Sequence, residues 1–407
     1  LSAASKDKLT VLAVHNRYQL AGGEDRVFED ETTLLEKAGH QVHRLQLSND
    51  DIVGLGGKLA NGLGATYSFR GRKLVSDAIL SCRPDVVHVH NFFPKFSPAI
   101  FDATREHSVA SVLTLHNFRI ACANGTLFRD GTYCDQCVGQ SPLPAIVHRC
   151  YRGSRTGSAA IAAMIQTHKA LGTWQNKVDR FIILTEAART IFEKAGVPSN
   201  RMVAKANPVS IHATTPASPA ERSHFVYAGR LSPEKGVGFL VQTWRERQEP
   251  LLIIGDGPDR QMLESIAPPN VTFLGHLDHQ AMLSNIGRAR ALIVPSLCPE
   301  MFGLVAVEAM ATGTPVIAAR IGGLTKIVTD SQTGFLFDPG NGRELCAAID
   351  SLSDDDLLSR MIGQSLSRYQ EEFAPEHTME VLEQVYRGAI SDARQRAGKL
   401  DPGRTGS

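Results

Sequence analysis

Net charge is almost absent from this 407-residue chain: Lys plus Arg total 43 against 42 for Asp plus Glu. That balance removes the basic footprint of a nucleic-acid binder and the charge block of an acidic-tail protein. Long apolar runs are missing too; none approaches the roughly 18 residues that would cross a bilayer. The first residues, Leu1 to Lys8, hold no apolar core of a signal peptide. Cysteine is scarce and odd in number, seven in all, which fits a reducing compartment better than a secreted disulfide framework. The expectation is therefore a cytoplasmic protein. No G-x-G-x-x-G with an acidic partner follows the first predicted strand, which disfavours a dinucleotide oxidoreductase. What remains is an ordinary globular composition, 43% hydrophobic and 21% charged. The length exceeds one comfortable core and predicts two domains or slightly more.

Read in order, the chain opens with the grammar of a doubly wound parallel sheet. Thr10 to His15 is a short buried strand that breaks into a loop containing Gly22-Gly23. A helix follows, its early turns loaded with Glu24, Asp25, Glu29, Asp30 and Glu31 as the helix dipole prefers, and it stops near Ala38-Gly39. Gln41 to Leu47 is the next strand, and further ones come at Asp85 to His90, Ala110 to His116 and Arg180 to Leu184. Two of them end in His, at His90-Asn91 and His116-Asn117, where ligands collect in open α/β sheets. His116 is read as functional. For His90 a strand-end cap and a ligand role stay open, and His88 is read as facing the other side of its strand.

Four of the cysteines fall close together, at Cys122, Cys134, Cys137 and Cys150. One C-x-x-C with two outliers is a moderate metal signal: four thiolates could close a tetrahedral structural Zn²⁺, with disulfides or plain buried thiols as the alternatives. Nothing here suggests a catalytic metal. Beyond this segment, Arg149, Arg152, Arg155, His168, Lys169 and Lys177 accompany the apolar run Ala159 to Ile165. Two readings stand: a basic helix on a membrane surface, or a solvated face on a helix packed against the sheet, the second being favoured.

Asn207 to Pro219 is rich in Pro, Ser, Thr and Ala without periodicity and reads as a linker. After it the strand-turn-helix grammar restarts, with strands at Phe225 to Ala228, Leu251 to Gly255, Val271 to Gly275, Ala291 to Pro295 and Pro315 to Ala319. Two α/β halves joined by one linker imply a cleft between them. In the second half Arg230 and Lys235 share one turn after a strand, a pair suited to a diphosphate. The stretch Pro295 to Gly323 carries Glu300 and Glu308 on either side of a Gly-bearing turn that opens a helix at Gly303-Leu304. Free backbone N–H groups and the helix dipole make such a place suit an anion.

These pieces resemble the retaining glycosyltransferases of family GT4, with the two-domain GT-B fold. The resemblance is carried by G-R-L-S-P-E-K-G at 229–236, I-G-D-G-P at 254–258, F-L-G-H-L at 273–277 and P-S-x-x-x-E-x-F-G-L-V-x-x-E-A-M-A-x-G-x-P-V-I at 295–317. It covers about residues 10–390 and is looser in the first half. It implies two Rossmann-like, doubly wound parallel-sheet domains facing across a cleft. These are an acceptor-side domain over 1–206 with a Cys-bearing insertion at 118–152, and a nucleotide-sugar domain over 207–374. A C-terminal helix over 375–407 would cross back to the first domain and fray from about Asp392.

The resemblance also implies roles. Arg230 and Lys235 would hold the donor diphosphate, and Glu308 the ribose hydroxyls. Glu300 would face the donor sugar, with Phe302, Gly303 and Leu304 offering backbone to sugar and phosphate. His276 and Leu277 would hold the base, Gly22 and Gly23 would close over the diphosphate, and His116 would contact the sugar at the reacting carbon. Glu300 and Glu308 are positioning groups here, not an acid and nucleophile pair. The expected activity is transfer of a sugar, from a UDP- or GDP-sugar by preference, to a hydroxyl of a saccharide or lipid-linked acceptor. No catalytic metal takes part, and contact with the inner face of a membrane is a possibility resting on the basic helix. A non-catalytic nucleotide-sugar module and a GT-B phosphorylase or epimerase are the rivals. Gly322-Gly323-Leu-Thr-Lys326 departs from the family's Gly-Gly-x-x-Glu and puts this loop's usual handling of the donor in doubt.

Overall fold

The protein is described by a computed structural model over residues 8–18, 22–49, 64–211 and 215–400. The amino-terminal residues read above for a signal peptide, the middle of the linker at 212–214 and the tail from 401 lie outside the described residues.

Two six-stranded parallel sheets form the frame. The first takes β1 (Thr10–Arg17), β2 (Gln41–Ser48), β3 (Val86–Asn91), β4 (Ala110–Leu115), β7 (Arg180–Ile183) and β8 (Met202–Ala204), in the order β2-β1-β3-β4-β7-β8. Between β4 and β7 lies a separate antiparallel hairpin, β5 (Phe128–Arg129) with β6 (Thr132–Tyr133). The second sheet runs β11-β10-β9-β12-β13-β14. Its strands are β9 (His224–Ala228), β10 (Leu251–Ile254), β11 (Val271–Gly275), β12 (Ala289–Val294), β13 (Val316–Ala319) and β14 (Gly334–Phe337). Both orders reverse direction beside the first strand of their half, so each sheet has a switch point where loops diverge and leave a crevice. The architecture is α/β of the GT-B kind.

The central strands are buried along their whole length because helices cover both faces of a parallel sheet. Every residue of β3 and β4 is buried. Two edge strands, β8 and β14, have no counterpart in the sequence reading. Both are short (Met-Val-Ala and Gly-Phe-Leu-Phe), and pairing with a neighbouring strand rather than their own periodicity makes them strands.

The helix Pro375–Leu400 returns to the first sheet, where Tyr386 is fully buried. The sequence reading frayed this helix from about Asp392. Instead it continues to Leu400, since Asp392 accepts from Arg180 at 2.6 Å and Arg396 pairs with Asp179. Charged residues without apolar periodicity looked like a loose tail, but their partners sit 212 or more residues earlier in the chain.

Candidate active site between the two sheets

The loop after β12 is shaped by its neighbour. Gly236 sits at φ +71°, and a Cβ there would lie 1.9 Å from the Pro295 carbonyl oxygen. Only glycine lets the turn after β9 press on the loop after β12. The Leu297 N–H donates to the Glu234 carbonyl at 2.9 Å and stitches the two together. Lys235 Nζ then reaches Glu300 Oε1 at 2.7 Å, and Ser296 Oγ donates to the same oxygen at 2.5 Å. Burial pushes the Glu300 carboxyl up, but Lys235 and Ser296 outweigh it and leave the group below its ordinary range. Burial likewise works against the Lys235 ammonium, and Glu300 more than restores it. Both groups carry full charge at neutral pH.

The same loop is pinned from below. The Gly323 N–H donates to the Glu300 carbonyl at 2.6 Å. Gly303, at φ +90°, opens the helix Leu304–Ala311, and a Cβ on it would strike Leu324 Cδ2 at 2.7 Å. Phe302 is buried against Phe373. The helix N-terminus is thus fixed beside Lys235 and Glu300, with its first N–H groups facing the carboxyl edge of the sheet.

Glu308, one turn into that helix, is buried and shared between the halves. Its Oε1 accepts from His279 Nε2 at 2.9 Å and from Arg26 Nη1 at 2.5 Å. Arg26 belongs to α1 (Gly23–Lys37) of the first half. Two more contacts cross at this point: Thr185 Oγ1 donates to the Met301 carbonyl at 3.3 Å, and Gly23 faces Leu304 Cδ2. Arg26 and His279 are site residues that the sequence reading missed. No motif marks them, and only the approach of the two sheets gives them Glu308.

On the first sheet the carboxyl ends of β1, β3 and β4 gather a buried polar cluster. His116 Nε2 lies 3.2 Å from His90 Nδ1. His90 Nε2 and His88 Nδ1 lie 3.3 and 3.4 Å from Glu31 Oε1, and Lys205 Nζ donates to Glu31 Oε2 at 2.5 Å. His88 also bonds Tyr386 at 2.7 Å and Thr114 at 2.8 Å.

Two expectations change here. His88 does not face the opposite side from His90: residues two apart on a strand share a face, and the rings meet at 4.2 Å. The acids of α1 are also more than dipole partners. Glu31 is fully buried against Lys205, and Asp25 caps the turn by accepting from His15 at 2.8 Å and from the Gly22 N–H at 2.9 Å. Burial pushes Glu31 up, but Lys205 and the two histidines hold it well below the usual carboxylate range. Burial, with His90 beside it, drives the His116 imidazole well below its ordinary value, so the ring is neutral at pH 7. Glu24 joins the loops after β1 and β4 by accepting from Asn117 Nδ2 at 2.9 Å and Tyr18 at 2.8 Å.

The other expected positions spread around this centre. Arg230 is exposed at the end of β9, and its guanidinium makes no ion pair among the described residues. His276 is exposed and Leu277 half-buried after β11. A Cβ on Gly22 would meet nothing within 4 Å, so the protein's own packing does not demand glycine there. Lys326 is exposed, and its backbone carbonyl accepts from Arg368. The basic helix, Arg155–Ala170, buries Ile161, Ala162, Met164 and Ile165, so its apolar side is spent on the core. Cys122, Cys134, Cys137 and Cys150 line one pocket away from these residues. Burial and the neighbouring thiols push Cys137 up to about 11.

Comparison with known proteins agrees with this geometry. The family described as glycosyl transferases group 1 matches residues 213–368. A glycogen synthase of Mycobacterium tuberculosis is 30% identical over 275 residues, 64% of this chain and 66% of that protein. A D-inositol 3-phosphate glycosyltransferase of Mycolicibacterium smegmatis is 28% identical over 281 residues, 62% of this chain and 63% of that one. The chain thus spans just under two-thirds of the length of these relatives. Among solved structures, Anabaena Alr3699/HepE in complex with UDP superposes with a TM-score of 0.62 at 18% identity, over 97% of this chain and 100% of that one. Sucrose-phosphate synthase from Thermosynechococcus elongatus gives 0.65 at 18% identity, over 94% and 100%. With the loop 295–303, the turn 229–236 and both sheets in place, the chain has the GT-B fold, and its second half matches the glycosyl transferases group 1 family over residues 213–368.

Proposed function

We propose that the protein is a retaining glycosyltransferase of the GT4 type that takes its sugar from a UDP- or GDP-sugar. The observation that carries this is the Lys235–Glu300 contact of 2.7 Å at the head of the Leu304–Ala311 helix. It sets a cation, a carboxylate and free helix N–H groups at one point of the cleft. The donor diphosphate lies against Lys235, Arg230 and the helix N-terminus, which stabilise the charge that develops as the nucleotide leaves. Glu300 holds sugar hydroxyls. Glu308, already bridged to Arg26 and His279, holds the ribose. His276 and Leu277 flank the base through main-chain groups, and Gly22 and Gly23 close over the phosphates.

The acceptor oxygen attacks the anomeric carbon from the side of the leaving group. The bond from that carbon to the phosphate oxygen breaks, and the departing phosphate oxygen takes the acceptor's proton. No protein nucleophile and no metal is assigned to the step. Neutral His116 contacts the donor sugar beside the reacting carbon as a hydrogen-bonding group. The acceptor is a saccharide or lipid-linked hydroxyl bound by the first half, in the manner of polysaccharide or glycolipid synthesis. With its apolar side buried, the Arg155–Ala170 helix offers a membrane only charge.

Incubation with UDP-, GDP- and ADP-sugars, with and without candidate acceptors, tests the reading through nucleotide release. Acceptor-stimulated release and a product that keeps the donor's anomeric configuration by NMR support it. An inverted product would overturn the retaining assignment. Nucleotide-sugar binding without any turnover would favour a binding module instead.

A further inference from the structure

The segment between β4 and β7 has a feature that sugar transfer does not use. Its four cysteines sit on four separate turns of chain: Cys122 after β4, Cys134 at the end of β6, Cys137 in the next turn, and Cys150 behind the short helix Leu143–Val147. All four nevertheless line one pocket. Backbone bonds set their places. The Cys122 N–H donates to the Phe118 carbonyl at 2.7 Å, that of Cys134 to Leu127 at 2.8 Å, and that of Cys150 to Ala145 at 3.0 Å. Four of the seven cysteines converge although 28 residues separate the first from the last, and none of the seven is in a disulfide.

The hairpin that carries two of them has little else to hold it. From Phe128 to Cys137 no residue is buried, and a two-stranded hairpin alone is marginal in water. A bound metal supplies such a segment with folding energy that a core would otherwise give. The chemistry of the set is selective: four thiols, no carboxylate and no imidazole among the lining residues select a soft, tetrahedral ion. Arg129 lines the same pocket. A cation at the rim suits a doubly negative tetrathiolate centre.

The other cluster of metal-ligating groups, Glu31 with His88 and His90, is the one set of three whose ligand atoms lie within 4.8 Å of each other among the described residues. It already holds a cation, because Lys205 Nζ occupies Glu31 and Tyr386 occupies His88. No three of the four sulfurs lie that close together, whereas a closed centre with Zn–S bonds of about 2.3 Å brings all four to about 3.8 Å. Metal binding therefore includes inward rotation of the cysteine side chains about their Cα–Cβ bonds.

We propose that Cys122, Cys134, Cys137 and Cys150 bind one structural Zn²⁺ as four thiolates, releasing four protons as the four Zn–S bonds form. The metal staples the hairpin and the Leu143–Val147 helix to the turn that follows His116. That turn reaches the cleft directly: Arg119 N–H donates to Asn117 Oδ1 at 3.0 Å, and Asn117 Nδ2 to Glu24 at 2.9 Å. The zinc is thus a support for the loop after β4 and takes no part in the transfer.

Metal analysis of the full chain, purified without chelator, reads the site without any substrate and so independently of the glycosyltransferase assignment. The expected result is one zinc per chain, with four of the seven thiols slow toward a thiol reagent until a chelator is added. Cobalt exchanged into the wild-type protein should give the thiolate-to-metal charge-transfer absorption of a tetrathiolate site. Cys134→Ser/Cys137→Ser should lose the metal, and Cys346→Ser should keep it. Should the double variant fail to fold, the zinc content and cobalt spectrum of the wild type decide. No stoichiometric metal, no thiol whose reactivity rises when chelator is added, or two disulfides in the protein as isolated would each overturn the proposal.

Discussion

His90 Nδ1 and His116 Nε2 stand 3.2 Å apart at the carboxyl edge of the first sheet, their rings stacked with centroids 5.4 Å apart. This pair is the end of a buried chain that starts at Lys205 and passes through Glu31. The His90 nitrogen facing the Glu31 carboxylate keeps its proton, because a lone pair there would meet negative charge. His90 Nδ1 then accepts, so His116 Nε2 donates and its Nδ1 holds a lone pair. The buried ion pair fixes the tautomer of a ring two side chains away. Glu31→Gln should therefore lower kcat more than it changes the donor KM, by about 10-fold, the scale of a supporting contact to a working group. An equal change in both parameters, or none, would remove the link between Glu31 and His116.

Lys205 and Glu31 should be coupled in stability. Both side chains are 2% exposed, and removing one charge leaves the other buried and unpaired. Lys205→Met is expected to cost about 3–5 kcal/mol. The double variant Lys205→Met/Glu31→Gln should recover much of that loss in a urea-unfolding cycle. Additive losses would show that the pair acts independently.

The histidine cluster gives a sign to the pH dependence. His88, His90 and His116 are all held below their ordinary value by burial. A group with a depressed folded pKa contributes stability above its unfolded pKa, near 6.5 for His, and loses it as pH falls. Each such histidine takes up to about 1.4 kcal/mol per pH unit below that point. Glu31, also depressed, follows the same sign but only below about pH 4.3. Tm should be flat from pH 7 to 8 and fall between pH 6.5 and 5, with a shallower slope in His90→Gln. A Tm that rises on acidification would contradict the buried neutral rings.

Arg230→Ala should spare the fold, since the side chain is exposed, and reduce kcat by about 10²-fold or more if it stabilises the leaving diphosphate. Circular dichroism with steady-state kinetics separates the two effects. Unchanged turnover in a folded variant would sink the diphosphate assignment.

Glu308→Ala is expected to weaken nucleotide binding by about 10- to 100-fold, the loss of hydrogen bonds to a charged acceptor, with a smaller effect on kcat. Arg26→Ala, removing one bridge to the same oxygen, should show a weaker version of the same shift. Calorimetric titration with UDP and GDP measures both, and a Glu308 variant that binds like wild type would shift the ribose role to another residue.

The second half was readable because its motifs are local. Lys235 and Glu300, 65 residues apart, lie in two loops that each follow a strand; strand grammar put each after a strand, the motif resemblance assigned both to one donor site, and the pairing of β9 with β12 brings them into contact. Gly236 and Gly303 could be named as turn glycines for the same reason. The paired strands, the two halves and the four-cysteine segment are likewise written in short patterns of apolar residues, glycines and spacing. What the chain alone did not yield depends on long-range contact. Arg26 meets Glu308 across 282 positions, and His88 meets Tyr386 across 298. The helix beyond Asp392 is held by partners far back in the chain, Arg180 and Asp179, with Ala393 buried beside them. Periodicity and turn chemistry act within a few residues and so fix strands, helices and loops. Burial of charge, the choice of tautomer and the partners of a carboxylate depend on which surfaces meet, and here the packing of the two sheets and the returning helix decided them.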